Sequence, residues 1–250
     1  MSVPPDARRL EELSLNSSAP PGQLVYDGWL LRLLPGKAKR ARSVNAIYPS
    51  TLQLGNKLAY CERLYRQVGL PALFRITPFS QPANLDEELE RRGYGRFDDT
   101  AVESCAIEPA GPAAEGVRRL ALADWVVAIG ELRASSEGHM RAHLARLQGM
   151  PLALRAVVVE DGGRILATGL TIVEDDCAGL FDIVTRDEDR RRGHARTIVA
   201  SLLREAWELG ARHAYLQVQA GNEPARRLYR QFGFEERYMY WYRGRPGEQQ

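Results

Sequence analysis

A chain of 250 residues, 44% hydrophobic and 26% charged, has the composition of a globular protein with a sizeable buried core. Its formal net charge of +2 is too small to indicate nucleic-acid binding, and no stretch approaches the ~18 apolar residues of a membrane span, so we expect neither partner. Three widely spaced cysteines without a CxxC pair and an N-terminus without an apolar run favour a cytoplasmic protein, and four histidines without ligand spacing argue against a bound metal.

The first half of the chain reads as a loose segment followed by a small α/β unit. Residues 1–22 carry proline and serine and predict little regular structure beyond a short helix near 6–14. The elements that follow are a strand in 26–36, a strand in "ARSVNAIYPS", an amphipathic helix over 53–68 closed by Gly69, a strand over 72–79, a short helix over 84–95 ending at Gly93, and a strand over 99–109. Proline, glycine and alanine then indicate a linker.

The second half alternates helices and strands. Its predicted elements are helices over 123–133 and 136–148, a hairpin over 153–175 around Asp161-Gly162-Gly163, a strand over 177–185, a helix over 193–209 ended by Gly210, a strand over 213–220, a helix over 223–232 stopped by Gly233, and a strand over 237–243.

The two halves share one order of elements: helix, glycine, strand, short helix, glycine. Gly210 follows Gly69 by 141 residues, and Gly233 follows Gly93 by 140. This agreement predicts one supersecondary unit used twice. We therefore divide the chain into a loose segment (1–22), a first unit (23–109), a linker (110–116) and a second unit (117–250).

The start of the helix over 193–209 is unusually basic. Arg190, Arg191, Arg192 and Arg196 crowd a helix N-terminus, where the macrodipole makes cations unfavourable. The free N–H groups of such a turn bind phosphate oxygens, and an external polyanion would supply the missing negative charge. A solvated basic helix end or a nucleic-acid patch would explain the same residues.

Two motifs distinguish these alternatives. "RRRGHA" carries Arg190, Gly193 and Ala195 at the spacing Q/R-x-x-G-x-G/A, which resembles the acyl-CoA-binding motif of the GNAT superfamily of N-acyltransferases. "GNEPARRLYRQFGF" resembles the second motif of that family, N-x-x-A-x-x-L-Y-x-x-x-G-F. The resemblance covers residues 117 to 243 and implies a mixed α/β fold with a splayed central sheet flanked by helices.

The resemblance also implies a binding site for acetyl-CoA as acyl donor. The pantetheine arm is expected along the strand before the basic turn, and the pyrophosphate on the turn itself. The implied binding residues are Ile183, Val184, Thr185, Arg190, Arg191, Arg192, Gly193, His194, Ala195, Arg196, Asn222, Tyr229 and Arg230.

The expected catalytic groups are Tyr229 and Asp182. The family places a phenol at Tyr229 near the CoA sulfur, and a phenol with a pKa of about 10 can act as general acid at neutral pH. Asp182 lies on the strand over 177–185, along which the pantetheine arm of the donor is expected and which we call the donor strand. Alternation predicts that the Asp182 side chain points opposite to Phe181. Four other candidates for a base are interpreted as solvated surface groups: Glu131, Glu137, His139 and His143.

The first half lacks the basic turn and has Leu89 about where Tyr229 stands, so it resembles a degenerate GNAT unit with a structural role. We expect transfer of an acetyl group to a primary amine, by direct transfer in a ternary complex. A non-catalytic acetyl-CoA-binding module, or an acyltransferase for a longer acyl chain or a hydroxyl acceptor, are the alternatives. The acceptor is not readable from the sequence, and an oligomer is possible.

Overall fold

A computed structural model describes residues 4–36, 38–108 and 115–247, so most of the predicted linker lies outside the described residues. In chain order the elements are α1 (Ala7–Ser17), β1 (Gln23–Tyr26), β2 (Trp29–Arg32), β3 (Ser43–Asn45), α2 (Leu54–Gln67), β4 (Leu73–Ile76), α3 (Leu85–Arg91), β5 (Gly95–Ala106), β6 (Val117–Leu120), α4 (Leu122–Leu132), α5 (Glu137–Gln148), β7 (Ala153–Asp161), β8 (Arg164–Glu174), β9 (Cys177–Thr185), α6 (His194–Glu208), β10 (His213–Gln219), α7 (Glu223–Arg230) and β11 (Glu235–Gly244). Among the described helices, none is both long and apolar enough to cross a membrane.

The chain divides into two compact units. The first, called the motif unit because it holds the basic turn and α7, comprises the described residues 4–17, 103–108, 115–217 and 223–235. The second unit comprises 18–102, 218–222 and 236–247, Lys37 excepted. These bounds differ from the predicted units 23–109 and 117–250, because each unit includes residues from both halves of the chain.

The motif unit is built on a mixed sheet with the strand order β10-β9-β8-β7-β6. β9 and β10 are parallel, and the other neighbours are antiparallel. Leu170 of β8 is buried in a core with Trp125 of α4. The adjacent Gly169 lies under α6, where an added Cβ would stand 2.5 Å from Ile198. Because neighbouring strand residues point to opposite faces, α4 and α6 cover opposite faces of this sheet.

The short helix expected near 6–14 is α1, which runs over Ala7–Ser17 and packs in the motif unit, so this part of the segment 1–22 is not loose. Leu10 and Leu13 of α1 are fully buried. Ser17 Oγ lies 2.9 Å from Tyr215 Oη, which joins the end of α1 to β10. A short helix gains most of its stability from tertiary packing, and the flanking prolines and serines hide that packing in the sequence.

The second unit has the strand order β1-β2-β3-β4-β11, over a core that includes Trp29, Tyr65 and Phe74. The strand predicted within 26–36 is confirmed as β2, but β1 was not predicted. The two strands form a hairpin around Asp27 and Gly28, whose φ values are 42° and 84°. An Asp-Gly pair in this conformation is typical of a type I′ turn.

The predicted repeat is visible in the local backbone of both units. α2, β4 and α3 follow one another in the second unit as α6, β10 and α7 do in the motif unit. The four glycines that end these helices all have positive φ, listed in chain order as Gly69 at 69°, Gly93 at 81°, Gly210 at 98° and Gly233 at 78°. Each repeat then leads into a long strand, β5 or β11.

Those two long strands explain the unexpected unit bounds. β11, at the end of the chain, pairs with β4 of the second unit, where Trp241 lies opposite Ile76. The end of β5, from the first half, belongs to the motif unit, where the Ile107 N–H donates to the Arg212 carbonyl at 2.8 Å. Strand partners are long-range contacts that local patterning does not specify.

Candidate functional site

The parallel pairing of β9 with β10 stops before either strand ends. It runs from the pair Cys177–His213 to the pair Leu180–Leu216. β9 continues to Thr185, with its other edge on β8. Within the described residues, the edge of 182–185 that faces away from β8 therefore has no strand partner. Backbone polar groups require hydrogen-bond partners, so this edge can receive an amide-rich ligand.

A bulge in β9 lies beside this opening. The register with β8 shifts between the pairs Thr168–Val184 and Leu170–Phe181, and Asp182 has a φ of 53°. The expectation that Asp182 points opposite to Phe181 is wrong, because a bulge interrupts the alternation of a strand. The Phe181 side chain packs on the core under α4 and α5, and Asp182 also meets those two helices.

Asp182 forms the centre of a charged cluster. Its Oδ1 lies 2.8 Å from Nη1 of Arg133, just after α4, and its Oδ2 lies 3.4 Å from Nε2 of His143 on α5. Burial acts to raise the pKa of Asp182, but the opposing effects of Arg133, His143 and Arg146 leave this pKa below its ordinary value. Asp182 is therefore ionised near neutral pH and is a weak base.

His143 is not the solvated surface group that the sequence indicates. Its ring packs edge-on against Trp125, with centroids 5.7 Å apart, and burial is the main cause of its lowered pKa. Arg133 was not among the predicted site residues, and no sequence signal marks it. The other three base candidates are exposed, as expected: Glu131, Glu137 and His139.

The basic turn joins β9 to α6. Arg191 and Gly193 have φ values of 64° and 88° there. No described residue accepts a hydrogen bond from the backbone N–H groups of 191–196. A Cβ added at Gly193 would meet nothing within 4 Å, so the space in front of the turn is open. Free N–H groups facing open space at a helix start can bind an anion.

The arginines of this turn have partners within the chain. Arg190 lies 2.6 Å from Asp187, and Arg192 lies 3.1 Å from Asp189. These carboxylates offset part of the unfavourable charge at the helix start. The side chains of Arg190 and Arg192 are nevertheless 66% exposed. Asp187 is exposed as well, and exposed pairs contribute only about 0–1 kcal/mol, so an incoming phosphate can compete for the Arg190 guanidinium group.

α7 lies beside the basic turn and carries the predicted phenol. Arg196 donates to Gln231 Oε1 at 2.6 Å, which connects the start of α6 to the end of α7. Tyr229 is 8% exposed, and its ring lies against Phe234. Burial raises the pKa of Tyr229 to about 12, assisted by the charge of Glu103. The phenol is therefore protonated at neutral pH.

Most predicted site residues thus lie in one unit. Asp182, the donor strand 183–185, the basic turn 190–196 and α7 with Tyr229 and Arg230 all belong to the motif unit. Arg230 lies 4.0 Å from Glu223 of its own helix. Asn222 belongs to the second unit and is not part of this grouping.

The splayed parallel pair, the bulge in β9 and the open basic turn all lie within residues 177–216. The sequence model described as "Acetyltransferase (GNAT) family" matches residues 117–234. This part of the chain belongs to the GNAT family of acetyltransferases.

Similarity extends over the whole chain. It is 27% identical over 247 residues to the uncharacterized N-acetyltransferase YobR of Bacillus subtilis (strain 168), an alignment that covers 95% of this chain and 98% of the relative. A GCN5-related N-acetyltransferase from Kribbella flavida has a similar structure, with a TM-score of 0.73, 18% identity and coverage of 98% and 97% of the two chains. A tandem GNAT protein from the clavulanic acid biosynthesis pathway has a TM-score of 0.59, 16% identity and coverage of 97% and 89%. These structures share the predicted mixed α/β fold.

Proposed function

We propose that the motif unit is an acetyl-CoA-dependent N-acetyltransferase that moves an acetyl group directly to a primary amine in a ternary complex. One observation carries the proposal: the unpaired edge of β9 leads directly into a turn with free N–H groups. Leu180 and Leu216 form the last pair of β9 with β10, and the N–H groups of 191–196 begin a few residues after Thr185.

The chain offers matching groups for the donor. The backbone edge of 183–185 would hydrogen-bond the amides of the pantetheine arm. The N–H groups of the basic turn would bind the pyrophosphate, with Arg190, Arg192 and Arg196 beside it. Arg230 is the candidate for a further phosphate. Gly193 keeps this approach open, because its positive φ and missing side chain leave the turn uncovered.

Tyr229 is the proposed general acid. The bound thioester supplies an electrophilic carbonyl carbon; the bond to the acceptor nitrogen forms there and the carbon–sulfur bond breaks. Tyr229 gives its phenolic proton to the departing sulfur, and the nitrogen loses its extra proton to solvent. With its pKa raised to about 12, the Tyr229 phenol holds this proton at neutral pH.

Asp182 is proposed to orient the acceptor side of the site rather than to accept a proton. Its ion pair with Arg133 and its lowered pKa favour a permanently ionised carboxylate. Together with His143, it holds the end of α4 against α5 beside the bulge.

A covalent acyl-enzyme is not part of this proposal. Burial raises the pKa of Cys61, Cys105 and Cys177 to about 12 each. A thiolate is the reactive form of cysteine, and it is scarce at such values. Transfer within a ternary complex needs only that both substrates are held in line.

The first experiment is calorimetric titration of the full chain with acetyl-CoA, beside the variant Arg190→Ala/Gly193→Asp. We expect micromolar binding by the wild type and loss of binding in the variant. A matched control is Arg118→Ala/Gly162→Asp, which changes an exposed arginine of β6 and a positive-φ glycine of the turn between β7 and β8 in the same unit. Equal binding by wild type and variant would overturn the proposal.

Release of free CoA with a panel of primary amines then tests turnover. A non-catalytic module would bind acetyl-CoA but would release no free CoA with any acceptor. Faster release from longer acyl-CoA donors, or with hydroxyl acceptors, would favour the corresponding alternative reaction.

A further inference from the structure

A buried ion pair joins β5 to the helix that carries Tyr229. Glu103 Oε1 accepts a hydrogen bond from Arg226 Nε at 2.8 Å. The side chain of Glu103 is 2% exposed and that of Arg226 is 15% exposed. Both residues belong to the motif unit, although β5 comes from the first half of the chain. Neither GNAT-like motif includes Glu103.

The register of β5 places Glu103 level with the opening between β9 and β10. The Ile107 N–H donates to the Arg212 carbonyl at 2.8 Å, and the Ala220 N–H donates to the Asp99 carbonyl at 2.8 Å. In an antiparallel pair these two bonds set Glu103 opposite Leu216. Leu216 is the last residue of β10 that pairs with β9. Glu103 thus stands one strand away from the point where the sheet splays.

Only one of the two carboxylate oxygens of Glu103 takes part in a hydrogen bond within the described part of the chain. Its Oε2 is buried and has no hydrogen-bond partner among the described residues. An unpartnered buried carboxylate oxygen is costly, so its retention calls for an explanation beyond folding. Tyr229 follows Arg226 by three residues on α7, a spacing that puts both side chains on one face of a helix. The charge of Glu103 acts on the Tyr229 phenol across this face.

We propose that Glu103 is a positioning residue for Tyr229: its ion pair with Arg226 fixes the face of α7 that carries the phenol. The inference rests on the proposed function, in which Tyr229 is the general acid. Glu103 acts through Tyr229 and does not itself touch the reacting atoms. A strand from the first half of the chain would then contribute to a reaction whose other groups come from the second half.

A double-mutant cycle tests whether Glu103 acts through Tyr229. The variants are Glu103→Gln, Tyr229→Phe and the two combined, and Glu103→Gln keeps the size of the side chain but removes the charge that pairs it with Arg226. We expect Glu103→Gln to lower kcat at least about tenfold, with the KM for acetyl-CoA within about twofold of the wild-type value. In the Tyr229→Phe background it should have no further effect. Equal losses in both backgrounds would overturn the inference and leave a purely structural pair.

A second readout does not depend on turnover. In protein labelled with ¹³C at the tyrosine Cζ, the Tyr229 signal is assigned by its absence in Tyr229→Phe. It should begin to ionise at lower pH in Glu103→Gln than in the wild type, because a nearby negative charge has been removed. An unchanged titration would overturn the inference.

Glu205→Gln is the matched control, since Glu205 is a buried carboxylate of the same unit that pairs with Arg119 and Arg155. This control should lower stability without changing kcat or the Tyr229 titration. If Tyr229→Phe turns over at the wild-type rate, Tyr229 is not the general acid, and this inference fails together with that assignment. If Tyr229→Phe is slow and Glu103→Gln lowers kcat by the same factor in both backgrounds, the inference about Glu103 fails while Tyr229 remains the proposed acid.

Discussion

Leu180 and Leu216 lie opposite each other as the last pair between β9 and β10. Up to this pair the two strands form an ordinary parallel ladder. Beyond it the bulge at Asp182 turns β9, and its free edge leads to the basic turn. In the proposed function, this interruption of the sheet offers a backbone edge to the amides and a turn to the phosphates of a CoA thioester.

Replacing Gly193 with valine should weaken acetyl-CoA binding at least about tenfold, or about 1.4 kcal/mol. Gly193 has a φ of 88°, where a β-branched residue is strained, and its open side is the proposed phosphate approach. Calorimetric titration measures the change. Gly162→Val is the control, because Gly162 also has positive φ and no atom within 4 Å of an added Cβ. Equal losses of affinity in both variants would point to strain alone.

Tyr229→Phe should lower kcat about 10²–10⁴-fold, the range typical of a lost general acid, and leave acetyl-CoA affinity close to normal. Steady-state kinetics with release of free CoA measures both quantities. Tyr65→Phe is a control in the second unit, where the Tyr65 hydroxyl is also buried and donates to the Arg32 carbonyl. It should reduce thermal stability without lowering kcat. Unchanged turnover in Tyr229→Phe would assign the proton to another donor.

Asp182→Asn should destabilise the protein by about 1–3 kcal/mol near neutral pH, because it removes one partner of a mostly buried cluster with Arg133 and His143. The pKa of Asp182 is lower in the folded protein than its ordinary value of about 3.9 in an unfolded chain. Its contribution is therefore complete above that value and is lost as the pH falls through the folded pKa. The difference from wild type should shrink below about pH 4 in urea unfolding curves.

The exposed pair of Glu137 with Arg141 provides the comparison for that prediction. The Glu137 side chain is 85% exposed and lies 3.3 Å from Arg141. Glu137→Gln should change stability by less than about 0.5 kcal/mol at any pH. A destabilisation by Asp182→Asn that is the same at neutral and acid pH would contradict the electrostatic assignment.

The full chain should bind one acetyl-CoA, not two. In the second unit, the loop before α2 is occupied by a carboxylate of the same unit: Asp27 accepts from the Thr51 and Leu52 N–H groups at 3.0 and 2.9 Å. Asp27 also lies 3.2 Å from Lys57 of α2. A carboxylate of the chain itself therefore occupies the position in this loop where a phosphate would bind. Calorimetry gives the stoichiometry directly. Two equivalents bound, or binding lost in Asp27→Asn but not in Gly193→Val, would place the donor in the second unit.

Local patterning predicted most of the motif unit. The strand 177–185 has the predicted bounds, and the helix predicted over 193–209 is α6, His194–Glu208. Periodicity and glycine stops are local signals, so they survive without tertiary information. β6 was missed, because four residues that include two arginines carry little strand signal. α1 was expected only as a short helix near 6–14, and its burial was not predicted, because that packing depends on contacts with distant parts of the chain.

The candidate site was less accessible to sequence reasoning. The GNAT resemblance identified the basic turn and Tyr229, since these depend on fixed spacings. Asp182 was assigned the wrong direction, because a bulge is a property of two paired strands rather than of one. His143 was named only as a solvated surface group and Arg133 was not named, since their contact with Asp182 requires that α4 and α5 pack beside the bulge.

The sequence by itself determined the order of elements, the two motifs and the repeat, because each depends on residues close together in the chain. Only the tertiary structure decided that β5 contributes to the motif unit and β11 to the second, that α1 packs in the motif unit, and that Glu103 faces Arg226. These are contacts between residues more than a hundred positions apart. Their free energy depends on burial and strand register across the fold, which no local pattern encodes.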